Sequence, residues 1–337
     1  MIACALVAAL TSFLLQPVVL AWLRRVNMLD VPNARSSHST PVYRGGGIAV
    51  VAAMVLAQTL LWLSGSDVEW SLVAAVVAFA AVGLLDDRRS LPVSLRLGAQ
   101  LTIGLAVVLL ILGLPGVQSP DSVEAWLAAI VLGTVWVAGY TNSFNFMDGV
   151  NGISVLNAVL GGGLFAGVGV WYDVPGLSVM GAALAGAALG FLPWNAPRAR
   201  VFLGDVGSYA LGAGLATMAL WSVLAGVPVL VCGCPLVIYL ADTGFALASR
   251  VVRRQPWRQA HRDHIYQRLT DAGMTHLGVA LLNVAAAALV VAAVLVAAAA
   301  GSSGMGAVLS LAVVGGYLAL PHLRSASAVP QDERGTA

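Results

Sequence analysis

The sequence predicts an all-α polytopic membrane protein that crosses the bilayer about eleven times. Three observations predict this: 59% of its 337 residues are hydrophobic, only 9% are charged, and apolar stretches recur from end to end. A soluble domain of this length would carry about a quarter charged residues. The composition excludes an ordinary soluble enzyme, and a net charge of +2 gives no reason to expect a nucleic-acid partner.

The apolar stretches set the predicted spans. The first, 2–23, is too long for the apolar region of a signal peptide, and its arginines follow it, so we expect a retained helix. Residues 206–248 are about twice too long for one crossing and should fold back near Gly226. Glycine-rich runs at 161–167 and 181–190 indicate close helix packing. The predicted spans are 2–23, 45–63, 71–85, 97–114, 125–141, 153–172, 177–193, 207–224, 227–248, 276–299 and 306–323.

The basic residues predict the orientation of these spans. All 17 are arginines, and with the N-terminus outside, every one falls in an inner loop or in the C-terminal tail. The charged residues of the outer loops are then all acidic: Asp67, Glu69, Asp121, Glu124 and Asp173. Because arginine marks cytoplasmic loops, we expect an outer N-terminus and a cytoplasmic C-terminus. Residues 1–324 should form one membrane domain, followed by a polar, disordered tail at 325–337.

Four inner loops carry unusual polar clusters. The second begins with Asp86-Asp87, the fourth contains 202–208, and the fifth contains His261-Arg262-Asp263-His264. Taken alone, an acid pair at a helix end is often a solvated boundary, and a His-x-x-His tetrad lacks the further ligands of a zinc site. The third loop, 142–152, places an acid among three amides and two glycines beside the membrane, which an ordinary loop does not need.

Glycine motifs lie where three predicted helices begin on the cytoplasmic side, at 45–47, 149–152 and 204–208. Helix N-termini present free N–H groups that suit phosphate, and glycine permits close approach of a ligand. Converging carboxylates repel one another unless they are protonated or bridged by a cation, and oxygen ligands beside phosphates indicate Mg²⁺. The sequence thus predicts phosphoryl transfer at the inner membrane boundary, where a cytosolic phosphate donor can meet a lipid acceptor.

These motifs, in this order, resemble those of the polyprenyl-phosphate N-acetylhexosamine-1-phosphate transferases, glycosyltransferase family 4. The resemblance covers roughly residues 24–276. Its motifs are Val-Pro-Asn-Ala-Arg-Ser-Ser-His at 31–38 with Arg-Gly-Gly-Gly at 44–47, Leu-Asp-Asp at 85–87, Asn-Phe-Met-Asp-Gly-Val-Asn-Gly at 145–152, Phe-Leu-Gly-Asp-Val-Gly-Ser at 202–208, and 261–269. The resemblance implies that undecaprenyl phosphate attacks the β-phosphate of a UDP-sugar and that UMP leaves. It also implies Mg²⁺ as the cofactor, with Mn²⁺ as an alternative.

The resemblance implies a role for each matching residue. Asp205 would ligate Mg²⁺, and the catalytic carboxylates would be Asp86, Asp87 and Asp148, with Asp86 or Asp87 as the base. Asn195 and Phe202 would hold uracil. The full set of implied substrate-binding residues is His38, Arg44, Asn142, Asn145, Asn151, Asn195, Phe202, His261, Arg262 and His264.

Two departures from the family pattern indicate the branch that starts O-antigen or related surface glycans. Asn151 stands where the peptidoglycan and GlcNAc branches commonly carry Asp, and the fifth loop replaces a run of histidines by His-Arg-Asp-His. We therefore expect a UDP-N-acetylhexosamine donor, including 6-deoxy forms, rather than a muramoyl-pentapeptide donor. The expected location is the bacterial inner membrane, with the lipid bilayer as a partner and homodimerisation left open.

Two other protein classes fit the sequence less well than this family. A transporter would place polar groups near the bilayer midplane, whereas the only acid inside a predicted span, Asp242, lies about two turns from Arg250. An aspartate-rich prenyltransferase would repeat its acids at helical spacing, and neither Asp86-Asp87 nor Asp148 has such a repeat. Asp242 itself is left open as a site residue or a partner of nearby arginines.

Overall fold

The protein is described by a computed structural model that covers residues 1–32, 40–255 and 262–327, with side chains to residue 322. These ranges are mostly helical, as the sequence predicts. Within them, nine helices are long and apolar enough to cross a membrane. The prediction of a polytopic, helical membrane protein is therefore confirmed.

The helices follow the predicted order. The first six are α1 (Ile2–Arg25), α2 (Gly47–Leu63), α3 (Trp70–Arg89), α4 (Val93–Leu112), α5 (Val123–Met147) and α6 (Ile153–Trp171). The remaining seven are α7 (Leu177–Asn195), α8 (Gly204–Leu224), α9 (Val229–Gly233), α10 (Val237–Val252), α11 (Ile265–Asp271), α12 (His276–Ala299) and α13 (Ser303–Ser327). The predicted tail from 325 thus begins inside α13, and its residues from 328 onward lie outside the described ranges.

Two of the predicted spans are not single long helices. The span 227–248 is divided into α9, of five residues, and α10, of 16 residues. Pro235 lies in the turn between them, and proline has no N–H to continue a helix. The second predicted span corresponds to α2, which has only 17 residues and is shorter than the nine helices that are long enough to cross a membrane. Helix length therefore supports nine crossings in the described ranges and does not by itself establish eleven.

Two helices continue past their predicted ends. α3 runs to Arg89 rather than to residue 85, and α5 runs to Met147 rather than to residue 141. Hydropathy marks where apolar residues stop, whereas a helix can continue through polar ones. The acid pair and the first two amides of the third polar cluster therefore lie on helices and not in loops.

Close packing of small residues joins the helices, as predicted. In α7, Gly186 and Gly190 lie directly against the backbone of Ala5 and Ala9 in α1, where a β-carbon would not fit. Gly162 of α6 likewise lies against the carbonyl of Gly181 in α7. Glycine at these positions lets the helix backbones approach closely, which drives association in lipid.

The central helix is α8, which is buried along most of its length. At its N-terminus, Gly207 touches Gly47 of α2, and the carbonyl of Asp205 touches Gly83 of α3. A β-carbon on Gly47 or Gly83 would collide with the α8 backbone. The start of α8 is thus held tightly between the start of α2 and the end of α3.

A small three-stranded sheet is the element that the all-α prediction missed. Its strands are β1 (Leu29–Asp30), β2 (Val42–Arg44) and β3 (Val201–Phe202), in the order β1-β2-β3. β1 and β2 are antiparallel, whereas β2 and β3 are parallel, with Tyr43 opposite Val201. β2 leads into α2 and β3 leads into α8, so the parallel pairing places the beginnings of these two helices side by side.

Candidate active site

A polar cleft of about 290 Å³ lies where α3 and α5 end and where α6 and α8 begin. Segments that are far apart in the sequence meet there, including the small sheet and the starts of α11 and α12. The cleft is lined by Asp30, Arg44, Asp87, Asn145, Asp148, Gly149, Val150, Asn151, Asn195, Phe202, Leu203, Gly204, Asp205, Gln267 and His276.

Asp87 joins the end of α3 to the start of α8. One carboxylate oxygen accepts the backbone N–H of Asp205 at 3.0 Å, and the other accepts that of Val206 at 3.0 Å. Arg44 donates to the Asp87 carbonyl at 2.9 Å, and its Nε lies 3.4 Å from the carboxylate. A negative side chain at a helix N-terminus is favourable, so Asp87 holds α8 in place from another helix.

Gly204 makes this junction sterically feasible. Its φ of 75° lies in the left-handed region, which favours glycine. A β-carbon there would lie 2.7 Å from the carboxylate of Asp87 and 2.8 Å from the backbone nitrogen of Gly45. The glycine before Asp205 is therefore needed for the backbone of β2, the side chain of Asp87 and the start of α8 to meet.

Asp86 has a different environment from Asp87, because adjacent helical residues point about 100° apart. Its carboxylate accepts hydrogen bonds from the Leu91 N–H at 2.8 Å, from Arg96 at 2.9 Å and from the Tyr209 hydroxyl at 3.0 Å. It is 4% exposed and does not line the cleft. The structure therefore places Asp86 in a buried network between α3, α4 and α8, and its predicted catalytic role stays a prediction.

Asp205, the predicted metal ligand, lies in the first turn of α8 and lines the cleft. The Asn145 amide donates to its carboxylate at 2.8 Å and to the Ser208 hydroxyl at 2.9 Å. Asn145 thus bridges the last turn of α5 and the first turns of α8. The amide fixes the orientation of one oxygen of the Asp205 carboxylate.

Asp148 follows the last residue of α5. Burial raises the pKa of Asp148 from its ordinary 3.8 to about 7, the Ser154 hydroxyl lowers it, and the negative charge of Asp87 raises it. Such a carboxyl group exchanges its proton near neutral pH. Asp148 is thereby suited to accept a proton during a reaction.

The loop that carries Asp148 rests on Tyr266 of α11. The Tyr266 hydroxyl donates to the Phe146 carbonyl at 3.0 Å, and the ring lies so close to Gly149 that a β-carbon there would collide with it. Burial, followed by the charge of Asp242, raises the pKa of Tyr266 well above its ordinary value. The phenol therefore stays neutral and supports the loop as a hydrogen-bond donor.

Amide side chains form another part of the lining. Asn195 accepts the Gly152 N–H at 2.7 Å and donates to the Val201 carbonyl at 3.3 Å. Asn151 donates to the Pro197 carbonyl at 3.1 Å, and its backbone N–H lies 3.5 Å from Nδ1 of His276. These amides and Phe202 line the cleft together, and their predicted contacts with the nucleotide remain predictions.

The sequence predicts free backbone N–H groups for phosphate at three helix N-termini. This prediction is wrong for those N–H groups that donate to another part of the protein. Gly45 and Gly46 donate to the carbonyl of Phe202, and Gly47 donates to that of Leu203. At α8, Asp87 accepts the N–H groups of Asp205 and Val206, the second and third of the helix, and at α6, Asn195 accepts that of Gly152. The pairing of β2 with β3 and the two polar side chains fill the positions that the glycine pattern suggested for a ligand.

Several predicted site residues do not line the cleft. Asn142 lies one turn before Asn145 on α5 and donates to Gln100 of α4 at 2.6 Å. Arg262 pairs with Asp271 at 2.7 Å, and His264 pairs with Asp242 at 2.9 Å. Together with Asp86, these side chains contact other parts of the protein, and the substrate contacts implied for Asn142, Arg262 and His264 stay predictions. His38 and His261 lie outside the described residues.

Three lining residues were missed by the sequence analysis: Asp30 of β1, Gln267 of α11 and His276 at the start of α12. No motif marks Asp30 or His276. Gln267 belongs to the matching stretch 261–269, but nothing in the sequence shows that it faces the acids. Only the tertiary arrangement brings the three side chains to one cleft.

Mg²⁺ is the metal that the sequence predicts for this cleft. Within residues 1–32, 40–255 and 262–327, no three His, Cys, Asp or Glu side chains form a preformed metal cluster. The cleft does gather the carboxylates of Asp30, Asp87, Asp148 and Asp205 around Arg44, the one arginine among the described residues that line it. Because Mg²⁺ usually takes one or two carboxylates together with substrate phosphates, these residues fit a metal that protein and substrate bind jointly.

The chain is similar to known proteins of one family. Residues 69–223 match the family model described as glycosyl transferase family 4. The chain is 28% identical over 288 residues to the Bacillus subtilis protein named probable undecaprenyl-phosphate N-acetylglucosaminyl 1-phosphate transferase, covering 80% of this chain and 77% of that protein.

Two further relatives carry related names. The phospho-N-acetylmuramoyl-pentapeptide-transferase of Syntrophus aciditrophicus is 30% identical over 254 residues, which cover 64% of this chain and 70% of that protein. The decaprenyl-phosphate N-acetylglucosaminephosphotransferase of Mycobacterium leprae is 28% identical over 321 residues, covering 82% of this chain and 78% of that protein. The segment matched by the family model includes Asp87, Asn145, Asp148 and Asp205 of the cleft.

Proposed function

The chain belongs to glycosyl transferase family 4, and we propose that it transfers an N-acetylhexosamine 1-phosphate from a UDP-sugar to undecaprenyl phosphate. The products are a polyprenyl-diphosphate sugar and UMP. The observation that carries the proposal is the cleft in which Asp87, Asn145, Asp148 and Asp205 meet Arg44 at the ends of apolar helices.

The reaction exchanges one phosphoanhydride bond for another. An oxygen of the lipid phosphate attacks the phosphorus that carries the sugar. The bond from that phosphorus to the bridging oxygen breaks, and its electron pair leaves with UMP. If the lipid phosphate carries a proton, Asp148 accepts it, because this carboxyl group has a pKa of about 7.

The charges of the cleft suit this exchange. Arg44 offers a guanidinium to phosphate oxygens, while Asp87 holds both Arg44 and the start of α8 in position. Asp205, oriented by Asn145, would hold Mg²⁺ with the donor diphosphate, and Mn²⁺ is the alternative cation. When bound, the metal would neutralise charge on the diphosphate.

The position of the cleft supports a cytoplasmic active site in the inner membrane. It lies at the end of the helix bundle where α3 and α5 end and α6 and α8 begin. Arginines gather at the same end, among them Arg88, Arg89 and Arg96. Because arginine marks the cytoplasmic side, this end faces the cytoplasm and the N-terminus of α1 lies outside. With α2 and the pair α9–α10 also crossing, the chain would span the membrane eleven times.

The rival classes fit the structure less well. The four carboxylates of the cleft come from β1, α3, the loop before α6, and α8, so no helix repeats them as an aspartate-rich prenyltransferase would. A transporter would place its site near the midplane, whereas this cleft lies at helix ends. The names of the relatives given above specify different sugars. For this chain we propose a UDP-N-acetylhexosamine, including 6-deoxy forms, and a role in starting O-antigen or surface-glycan synthesis.

The test is UMP release by the purified protein in detergent or nanodiscs. A panel of UDP-N-acetylhexosamines and their 6-deoxy forms is supplied with and without undecaprenyl phosphate and Mg²⁺. We expect release that requires both additions, its loss in Asp205→Asn, and its retention in Asp67→Asn, which changes an exposed acid outside the cleft. Failure of every donor, or release without the lipid, contradicts the proposal.

A further inference from the structure

Asp242 of α10 is a completely buried carboxylate outside the cleft. Three groups donate to it, the Ile265 N–H at 3.0 Å, the Tyr266 N–H at 3.4 Å and the Tyr317 hydroxyl at 2.9 Å, and Nδ1 of His264 lies 2.9 Å from it. Asp242 therefore fixes the first turn of α11 to a membrane helix.

The same network reaches the last two helices. Tyr317 of α13 accepts a hydrogen bond from Asn283 of α12 at 3.1 Å while donating to Asp242. A buried polar network of this kind holds its members in one arrangement, because loss of one member leaves others without a partner. The position of α11 is thus set jointly by α10, α12 and α13, through Asp242.

α11 in turn forms part of the cleft. Gln267 lines it, and its side-chain oxygen accepts the His264 N–H at 3.4 Å in a capping box at the start of the helix. Its neighbour Tyr266 supports the loop at Gly149 and donates to Phe146. That loop also carries Asn151, so α11 adjoins the part of the cleft that is predicted to hold the nucleotide-sugar.

We propose that Gln267 contacts the UDP-sugar donor and that Asp242 is a positioning residue that acts through it. The proposal rests on the proposed function. The side chain of Gln267 offers a neutral donor and acceptor among the carboxylates of the cleft, which suits phosphate oxygens and sugar hydroxyls. Asp242 contacts no substrate; it sets the distance of α11, and therefore of Gln267, from the loop at 148–152.

The experiment measures KM for the donor, KM for undecaprenyl phosphate, and kcat in single and double variants. Gln267→Ala should raise the donor KM about tenfold and leave the other two constants within about twofold, because one hydrogen bond to the donor is lost. Asp242→Asn should raise the donor KM to a similar extent. In the Gln267→Ala background, Asp242→Asn should raise the donor KM little further, since the effects of two residues that act through one contact are not additive.

Thr270→Ala is the matched control on α11. Its hydroxyl donates only within the helix, to the Tyr266 carbonyl at 2.9 Å, and it does not line the cleft. All three kinetic constants should stay unchanged. If Asp242→Asn does not yield folded protein, Tyr317→Phe removes one of the three donors and keeps the ring, and a smaller rise in donor KM is expected from it.

A second readout does not depend on turnover. UDP should raise the melting temperature of the wild-type protein, and Gln267→Ala and Asp242→Asn should need more UDP for the same rise. An unchanged donor KM in Gln267→Ala overturns the proposal, as does a fully multiplicative effect of the two substitutions. Absence of UMP release by the wild type instead contradicts the proposed function, and the UDP titration still tests the roles of Gln267 and Asp242.

Discussion

The carboxylate of Asp87 accepts a hydrogen bond from the backbone N–H of Asp205 at 3.0 Å, across 118 positions of the sequence. The acid at the end of α3 thereby sets the first turn of the helix that presents the proposed metal ligand. The preceding acid, Asp86, takes no part in this contact and binds Arg96 and Tyr209 instead. Two neighbouring aspartates of one motif thus have separable roles, one in the cleft and one in the scaffold.

The first prediction separates these two acids. Asp87→Asn should lower UMP release about 100-fold, because an amide has a single acceptor oxygen for the N–H groups of Asp205 and Val206 and lacks the charge that holds Arg44. Asp86→Asn should chiefly lower thermal stability, by about 1–3 kcal/mol, because the buried amide has one acceptor oxygen for its three donors and lacks the charge that pairs with the partly exposed Arg96. Rates and melting temperatures in detergent check both. The opposite pattern would place Asp86 at the reaction centre.

The second prediction concerns the orientation of Asp205. Asn145→Ala removes the amide that holds its carboxylate, so the Mg²⁺ concentration for half-maximal rate should rise about 10–100-fold. Asn142→Ala, one turn earlier, should leave that concentration unchanged, because Asn142 bonds to Gln100 and to its own helix. A Mg²⁺ titration of both variants is the measurement. Equal shifts in the two would contradict the division of these amides between cleft and scaffold.

Much of the fold could be predicted because lipid forces long apolar stretches to be helices. The break near Gly226, the order of the helices and the close packing at Gly186 and Gly190 all follow from the sequence. The small sheet could not be predicted, since strands of two or three residues are too short to show an alternating pattern.

The site was predicted less completely, for geometric reasons. The sequence motifs identified Asp87, Asp148 and Asp205, which line the cleft. Hydropathy, however, placed the end of α5 several residues too early. Asn142 and Asn145 therefore looked like equivalent loop residues, although a helix turns them toward different partners. Gln267 faces the cleft because buried Asp242, 25 positions earlier by their residue numbers, docks α11 there, and no local pattern encodes that contact.

The third prediction is a rise in rate with pH. Since burial raises the pKa of Asp148 to about 7, this group is protonated below that pH and able to accept a proton above it. UMP release should therefore increase between about pH 6 and pH 8, and more Mg²⁺ should move the midpoint to lower pH because a nearby cation favours the carboxylate. Asp148→Asn should give a low and flat profile. A variant profile that keeps the wild-type rise would exclude Asp148 as its cause.

The fourth prediction tests whether helix packing alone controls the site. Gly83 of α3 contacts no substrate in the proposed reaction, but a β-carbon there would collide with the carbonyl of Asp205. Gly83→Ala should force α3 away from α8 and lengthen the contacts from Asp87 to the start of α8. We expect a loss of rate of at least about tenfold and a destabilisation of about 1–3 kcal/mol, the usual cost of overpacking.

Gly163→Ala on α6 is the matched control for this substitution. Nothing lies within 4 Å of a β-carbon at Gly163, so alanine should leave the rate unchanged and stabilise the helix slightly. Melting temperature and Mg²⁺-dependent UMP release of both variants are measured side by side. If Gly83→Ala lowers stability while the rate per folded molecule stays at the wild-type value, the hydrogen bonds between Asp87 and α8 do not set the activity. If the rate falls in Gly83→Ala and not in Gly163→Ala, the fit of α3 against α8 is part of the catalytic arrangement.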